Sequence, residues 1–439
     1  MSRIFAGGVR VHSGGAVAAC VLVLAGCGKT SPTAVTGGSD PSGTTTSTTT
    51  WYSQSGGTAT LSGKTYTASS TDRSGVTVTG GGTLSLNSST ISTTGSTSSS
   101  DSSSFYGLDA GVLASGASTI RLAGSSVKTT GTGANGVFAT GSGTSITLVD
   151  DTIACTGQLG HGVDATLGAT LSLTNVLITT GPGANSAAIA TDRGGGTITA
   201  TGGTFTTSGA DAPGIYSTGS ISVSGATIVA TGSEGAVIEG ANAITLTNTA
   251  LTGTLKRGVM IYQSMSGDAQ GTRGVFTMTG GSLTAMAGPL FYVTNSTGVI
   301  TLSGVATTAA SDTVVQAAAG GWGTSGSNGG TAILAADAQT LMGNLVTDSY
   351  GSITVTLKNG SSLTGAINTA ALTLDASSTW TVTANSALTS LTGATISGSS
   401  ITNIVGNGYT VTYDASLAAN SWLGGLAYSL PSGGQLIPK

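Results

Sequence analysis

General acid–base chemistry needs carboxylates held a few ångströms apart, or a metal with a basic side chain nearby, and this chain offers 17 Asp and Glu residues for it. Asp150 and Asp151 are adjacent, as are Asp192 and Arg193, and His161 lies three residues before Asp164. If these stretches are strands, adjacent side chains point to opposite faces, and neither adjacent pair makes a site unless a turn bends it. His161 precedes a Gly-Val pair and reads as a solvated turn residue. Lys256, Arg257 and Arg273 read as solubilising loop bases. No acidic column is legible from one segment to the next, which argues against an enzyme and against any metal or cofactor.

The elements that must position these residues follow from a recurring phrase. Gly136-Val137, Gly162-Val163, Ala188-Ile189, Gly214-Ile215, Ala236-Val237 and Gly258-Val259 recur at a period of 22 to 26 residues. Each pair is followed by a triplet such as Ile146-Thr147-Leu148, then by an aliphatic such as Ile153, then by a Thr/Gly turn. A fixed period of this length marks a solenoid, in which stacking of repeats builds the core. Apolar residues alternate with threonine, as in Ile244-Thr245-Leu246-Thr247, which is a strand signature. Runs of helix formers are absent from the repeats. Three short strands per repeat predict an all-β parallel β-helix of about 16 coils, roughly 75 Å long at ~4.8 Å per coil.

The repeats span residues 57–345, with inserted loops at 263–273 and 320–330, and distal coils with a cap occupy 346–439. Residues 94–104, rich in Ser and Thr, read as a loop protruding from the first coils. The segment after Ala415, with Trp422, Leu426, Tyr428 and Leu430, is expected to cover the strand edges of the last coil. Cys155 follows Ile153 by two and is expected to face inward as an inert thiol.

Two surfaces emerge from this alignment. With the valine or isoleucine of each phrase inward, the next residues stack outward, and Phe138, Tyr216, Ile238, Met260 and Phe291 form an apolar and aromatic stripe suited to a glycan or protein ligand. Cover by loops, or a slip of one residue in the inward–outward assignment, would instead bury the stripe. On another face, Ser145/Thr147, Thr170/Ser172, Thr197/Thr199 and Ser220/Ser222 form a hydroxyl ladder continued by Thr245 and Thr301. Such ladders resemble the ice-binding face of β-solenoid antifreeze proteins, although Arg121 and Ala243 interrupt this one and threonine is favoured on any solvated strand.

The N-terminus carries an address. Arg3 and Arg10 precede a short apolar stretch ending in Leu24-Ala25-Gly26-Cys27, which resembles the lipobox of bacterial lipoproteins. The resemblance implies a signal peptide over 1–26, cleavage between Gly26 and Cys27, and lipidation of Cys27; Gly28 at the next position implies outer-membrane sorting. Residues 27–56 are nearly all Ser, Thr, Gly and Pro and read as a flexible tether with a reach on the order of 30 Å.

Composition narrows the partners. Charged residues are 7% of the chain, with 72 glycines and a mean hydropathy of +0.29, which speaks against intrinsic disorder. Loss of Arg3 and Arg10 from 13 basic residues leaves 11 against 17 acids, a net charge of -6, without the basic patch that nucleic acid requires. Of three cysteines, Cys20 lies in the signal and Cys27 is the lipid site, so no intrachain disulfide is expected.

The coils from about Ser62 to Tyr413 resemble the right-handed parallel β-helices of the pectin-lyase-like superfamily, in particular the passenger domains of pertactin-type autotransporter adhesins. The likeness is strongest in Leu363-Thr364-Gly365-Ala366-Ile367, Leu372-Thr373-Leu374-Asp375, Trp380-Thr381-Val382-Thr383 and Leu388-Thr389-Ser390-Leu391, followed by Ile401-Thr402-Asn403-Ile404. Nothing after Tyr413 resembles the translocating barrel of that family. The resemblance implies an adhesin-like surface protein binding a glycan or another surface protein; the lipobox supplies Cys27 as its membrane attachment in place of the barrel, and a monomer is expected. A carbohydrate-active lyase or hydrolase, or a purely structural envelope protein, is the alternative.

Overall fold

Alternating apolar and hydroxyl residues give each short strand one inward face, and stacking these faces produces the architecture of the computed structural model, which describes residues 48–439. It is a parallel β-solenoid of about 15 turns. A representative turn contains strands Val137–Thr140, Ser145–Val149 and Thr152–Cys155, after which Val163–Thr166 pairs in parallel with Val137–Thr140. These three strands belong to three sheets, here sheets 1, 2 and 3 in that order. Sheet 1 has 12 strands, from Tyr52–Ser55 to Asn344–Thr347, and sheet 3 has 11, from Thr48–Thr49 to Ala306–Ala309. A four-stranded sheet from Thr340–Met342 to Ile404–Val405 takes over from sheet 3 in the distal turns.

The solenoid begins before Gly57. Tyr52–Ser55 already pairs with Val76–Thr79, and Trp51 lies under the Arg73 guanidinium at 4.5 Å, so residues 48–56 belong to the body rather than to the tether. The lipobox with Gly26 and Cys27, and most of the tether, lie outside the described residues.

The core is a set of in-register columns. Val112, Val137, Val163, Ile189, Ile215, Ala236, Val259 and Phe291 stack inside sheet 1, and Ile91, Val127, Ile153, Ile178, Phe205, Ile228 and Leu251 inside sheet 3, all fully buried. Columns of short polar side chains close the turns. Thr129, Cys155 and Thr207 each donate to a carbonyl five or six residues ahead, those of Ala134, His161 and Ala212. Burial pushes the Cys155 thiol up to about 12, as befits an unreactive core residue. Between sheets 2 and 3, Ser89, Ser125 and Asp151 accept the backbone N–H groups of Lys64, Ser89 and Ser125 in the preceding turn.

Residues 94–104 do not protrude. Ser100–Tyr106 forms a short helix, α1, with Ser99 accepting from the Ser102 N–H at its start and Gly107 at φ 71° ending it. The helix folds back onto the outer face of sheet 1 because a glycine there permits contact: a Cβ on Gly107 would lie 2.6 Å from the Phe138 ring.

The last segment closes the distal end. Gln435–Pro438 pairs with Thr410–Tyr413, and Tyr428–Ser429 pairs antiparallel with Gln435–Pro438. Asn420, in the 3-10 turn Ala418–Leu423, accepts from the Leu391 N–H and donates to the Thr389 carbonyl. Tyr428 and Leu430 are buried, while Trp422 and Leu426 remain exposed, with the Trp422 indole donating to the Leu391 carbonyl.

Candidate functional site

Strands of a solenoid ordinarily hide one face, but sheet 1 is buried on both from Val137–Thr140 through Phe291–Thr294. Its outward side carries two columns. One runs Leu113, Phe138, Asp164, Ala190, Tyr216, Val237, Met260 and Tyr292. The other, two residues further along each strand, includes Thr140, Thr166, Asp192, Glu239 and Tyr262.

Three distant pieces of chain cover these columns. The Phe105 carbonyl at the end of α1 accepts from the Thr140 and Thr166 hydroxyls at 3.1 and 2.9 Å. The Arg193 guanidinium lies 3.9 Å from the Phe105 ring centroid and pairs with Asp268 of the 263–272 loop at 2.7 Å. Ser264 of that loop donates to Glu239, and Gln263 fastens the loop by donating to the carbonyls of Ala269 and Gly271. Trp322, from the loop before Thr331, packs edge-on against Tyr262 at 4.9 Å.

Under this cover lies a cluster of acids, tyrosines and a histidine. The Tyr216 and Tyr262 hydroxyls both donate to Glu239 Oε2, at 2.6 and 2.7 Å. Burial, then neighbouring ionisable groups, hold both phenols well above their usual range, so they stay protonated as donors. Asp164 is fully buried, and neither of its carboxyl oxygens makes a well-formed hydrogen bond. Burial raises the Asp164 carboxyl, and so does the Asp192 charge; burial also raises Asp192, with Asp268 and Glu239 adding to the effect. Asp192 accepts from the Arg193 N–H at 2.9 Å. His161, Asp164 and Asp192 each offer an atom within 4.8 Å of the others.

His161 is not solvated. It occupies the turn column of Asn135, whose Oδ1 accepts from the His161 N–H at 2.8 Å, and His161 Nδ1 accepts in turn from the Ala187 N–H at 2.9 Å. Burial pulls its imidazole down to about 4, and the neutral ring carries its proton on Nε2.

The apolar stripe expected on the surface is therefore absent, for two reasons. Phe138, Tyr216 and Met260 do point out of sheet 1, but α1, the 263–272 loop and Arg257, whose Nη1 lies 3.8 Å from the Met260 sulfur, help to bury them. Ile238 and Phe291 point inward, because Ala236 and Phe291, rather than Val237 and Leu290, stack in register with Val259. Gly235 sets the first slip: a Cβ there would meet the Gly258 carbonyl at 2.8 Å, so Gly235-Ala236 is the structural equivalent of Gly214-Ile215. Phe291 packs edge-on against Phe276 at 5.3 Å inside the core.

Acids also converge where no acidic column was legible. Counting four residues on from each structural anchor gives Thr140, Thr166, Asp192, Thr218, Glu239 and Tyr262, a signal that the slip at Gly235 concealed. Asp150 and Asp151 form no site. Asp150 sits at φ 56°, and Asp151 is a buried acceptor of the Ser125 and Val149 N–H groups. Lys256 and Arg257 are bound up in ion pairs, Lys256 with Asp211 and Arg257 with buried Glu234 at 2.7 Å, and Arg257 lies over the Tyr292 ring.

The hydroxyl ladder lies where its spacing placed it. Ser145, Thr170, Thr197 and Ser220 stack in one column of sheet 2, and Arg121, Thr147, Ser172, Thr199, Ser222, Thr245, Thr277 and Thr301 in the next. A third column runs Thr174, Thr201, Ser224, Thr247 and Thr279. These residues are exposed or half-buried, with a shallow trough among Thr199, Thr201, Ser222, Ser224, Thr245 and Thr247. Compared with protein-family profiles and with curated proteins, the chain matches none.

Proposed function

We propose that this chain is an exported surface rod, lipid-anchored at Cys27, that binds a glycan or surface protein without turning it over. The observation that supports binding is the in-register hydroxyl face of sheet 2, three columns wide across successive turns and nearly free of charge. Each hydroxyl both donates and accepts, so a rigid array of them matches a polyhydroxylated polymer better than an ionic one. The lipobox-like Leu24-Ala25-Gly26-Cys27 and the Ser/Thr-rich segment after it support attachment and reach. The closed state of the acidic cluster supports the absence of turnover, since a polysaccharide would have to displace α1 and two loops to reach it.

The test is retention of the purified chain on a glycan array, run beside reducing-sugar and unsaturated-product assays, with Thr199→Lys/Ser222→Lys as the comparison. Retention without product, weakened at least tenfold in the variant at unchanged melting temperature, is the expected result. Product formation would replace this reading with that of a carbohydrate-active enzyme, which the convergence of Asp164, Asp192 and Glu239 favours. An unmodified Cys27 in the mass spectrum of the mature protein would remove the anchor.

A further inference from the structure

The acidic cluster beneath the cover has a charge problem that its own side chains do not solve. Asp164, Asp192, Asp268 and Glu239 bring four carboxyl groups together, and Arg193, the guanidinium acting on Asp192, is engaged by Asp268. Glu239 is satisfied by two phenols and Ser264. Asp164 is not: its carboxyl is fully buried, neither oxygen makes a well-formed hydrogen bond, and the one group that favours its charged form is the Ala165 N–H beside it. Ionising a buried carboxyl without a counter-charge is among the costliest events in a protein interior, so a bound cation is what would let Asp164 ionise in place.

We propose that Asp164 and Asp192 together ligate a hard divalent cation, of the calcium or manganese type, which ties the outer face of sheet 1 to its cover. Geometry supports this directly. Oxygens of Asp164 and Asp192 lie within 4.8 Å of each other and of a His161 ring nitrogen, and the span between the two carboxyls is one that a single ion with bonds of about 2.1–2.4 Å can bridge. His161 decides the class of metal. Its Nδ1 accepts the Ala187 N–H, so the neutral ring is protonated on Nε2 and is a donor there rather than a ligand. That leaves carboxylate oxygens as the anchoring ligands, which suits a hard cation and disfavours zinc. Asp192 is joined through the next residue, Arg193, to Phe105 of α1 and Asp268 of the 263–272 loop, so an ion here would stiffen the contacts that hold both pieces down.

The proposal is tested on the purified chain by melting temperature and by bound metal per chain, after chelation and after dialysis against calcium, manganese or zinc. The expected result is close to one calcium or manganese per chain and a rise of several degrees, both lost in Asp164→Asn. The same variant should melt no lower than the chelated native chain, because the amide keeps the size and shape of a buried carboxyl whose oxygens make no well-formed hydrogen bond, and this separates loss of the site from loss of the fold. His161→Asn, which restores the acceptor that Asn135 supplies one turn earlier, should keep the metal. Absence of bound calcium and manganese, with no change in melting, would overturn the proposal. Zinc uptake that depends on His161 would overturn its ligand assignment.

Discussion

Two residues show how differently a side chain can behave from what its neighbours in sequence suggest. Phe138 points out of sheet 1 yet is wholly buried under Gly107, so it acts as core. Phe138→Ala should cost about 3–5 kcal/mol in denaturant unfolding and leave glycan retention unchanged; lost retention at unchanged stability would show the ring to be a ligand contact. Asp151 is raised to about 6, by burial against the opposing effect of its two backbone N–H donors. A carboxyl raised on folding contributes stability below its ordinary 3.8 that is lost as pH climbs through about 6. Asp151→Ser keeps an acceptor of the kind that Ser89 and Ser125 provide in the same column. Melting curves from pH 3.5 to 7 should therefore show a decline in the native chain that is flattened in the variant, by on the order of 1–2 kcal/mol.

At the scale of elements, the strands were legible and their cover was not. The Ser145/Thr147 and Thr197/Thr199 pairs announce their own register, since a hydroxyl-aliphatic-hydroxyl triplet in a strand has only one sensible inward face. The outer face of sheet 1 gives no such signal. Phe138 is covered by Gly107 and Tyr262 by Trp322, and nothing local to either ring encodes contacts so far apart in the chain. Around Ala236 the local pattern misleads, because Val237 is as apolar as the inward residues of other turns and only the close approach at Gly235 fixes the register. The terminal element was legible in outline, its burial being carried by Leu423, Tyr428 and Leu430. Truncation after Tyr413 would uncover the Thr410–Tyr413 edge and remove the Asn420 bonds to Thr389 and Leu391. The shortened chain should form concentration-dependent aggregates in light scattering; a monodisperse product of unchanged stability would show that the segment is not a cap.

At the scale of the molecule, strands of the described turns pair with those of the turns before and after, so backbone pairing shares stability between nearest neighbours, and the cover over sheet 1 adds ties that skip turns, such as Phe105 to Thr166 and Arg193 to Asp268. The fold class and the period could be read from a phrase of two residues because each turn repeats the same burial problem and solves it the same way. The site resisted such reading because it departs from the repeat: a helix, two loops and a set of acids occur once each and meet in space rather than in sequence. The parallel pairing also has a mechanical side. Hydrogen bonds between turns run along the axis of the stack, so tension applied at the chain's ends bears on one layer of them at a time. Such a body yields by peeling rather than by shearing, and each freed turn of roughly 25 residues pays out up to about 80 Å of slack. Were the chain anchored at one end and bound elsewhere, as proposed above, its outermost turns would act as a reel that lengthens under load.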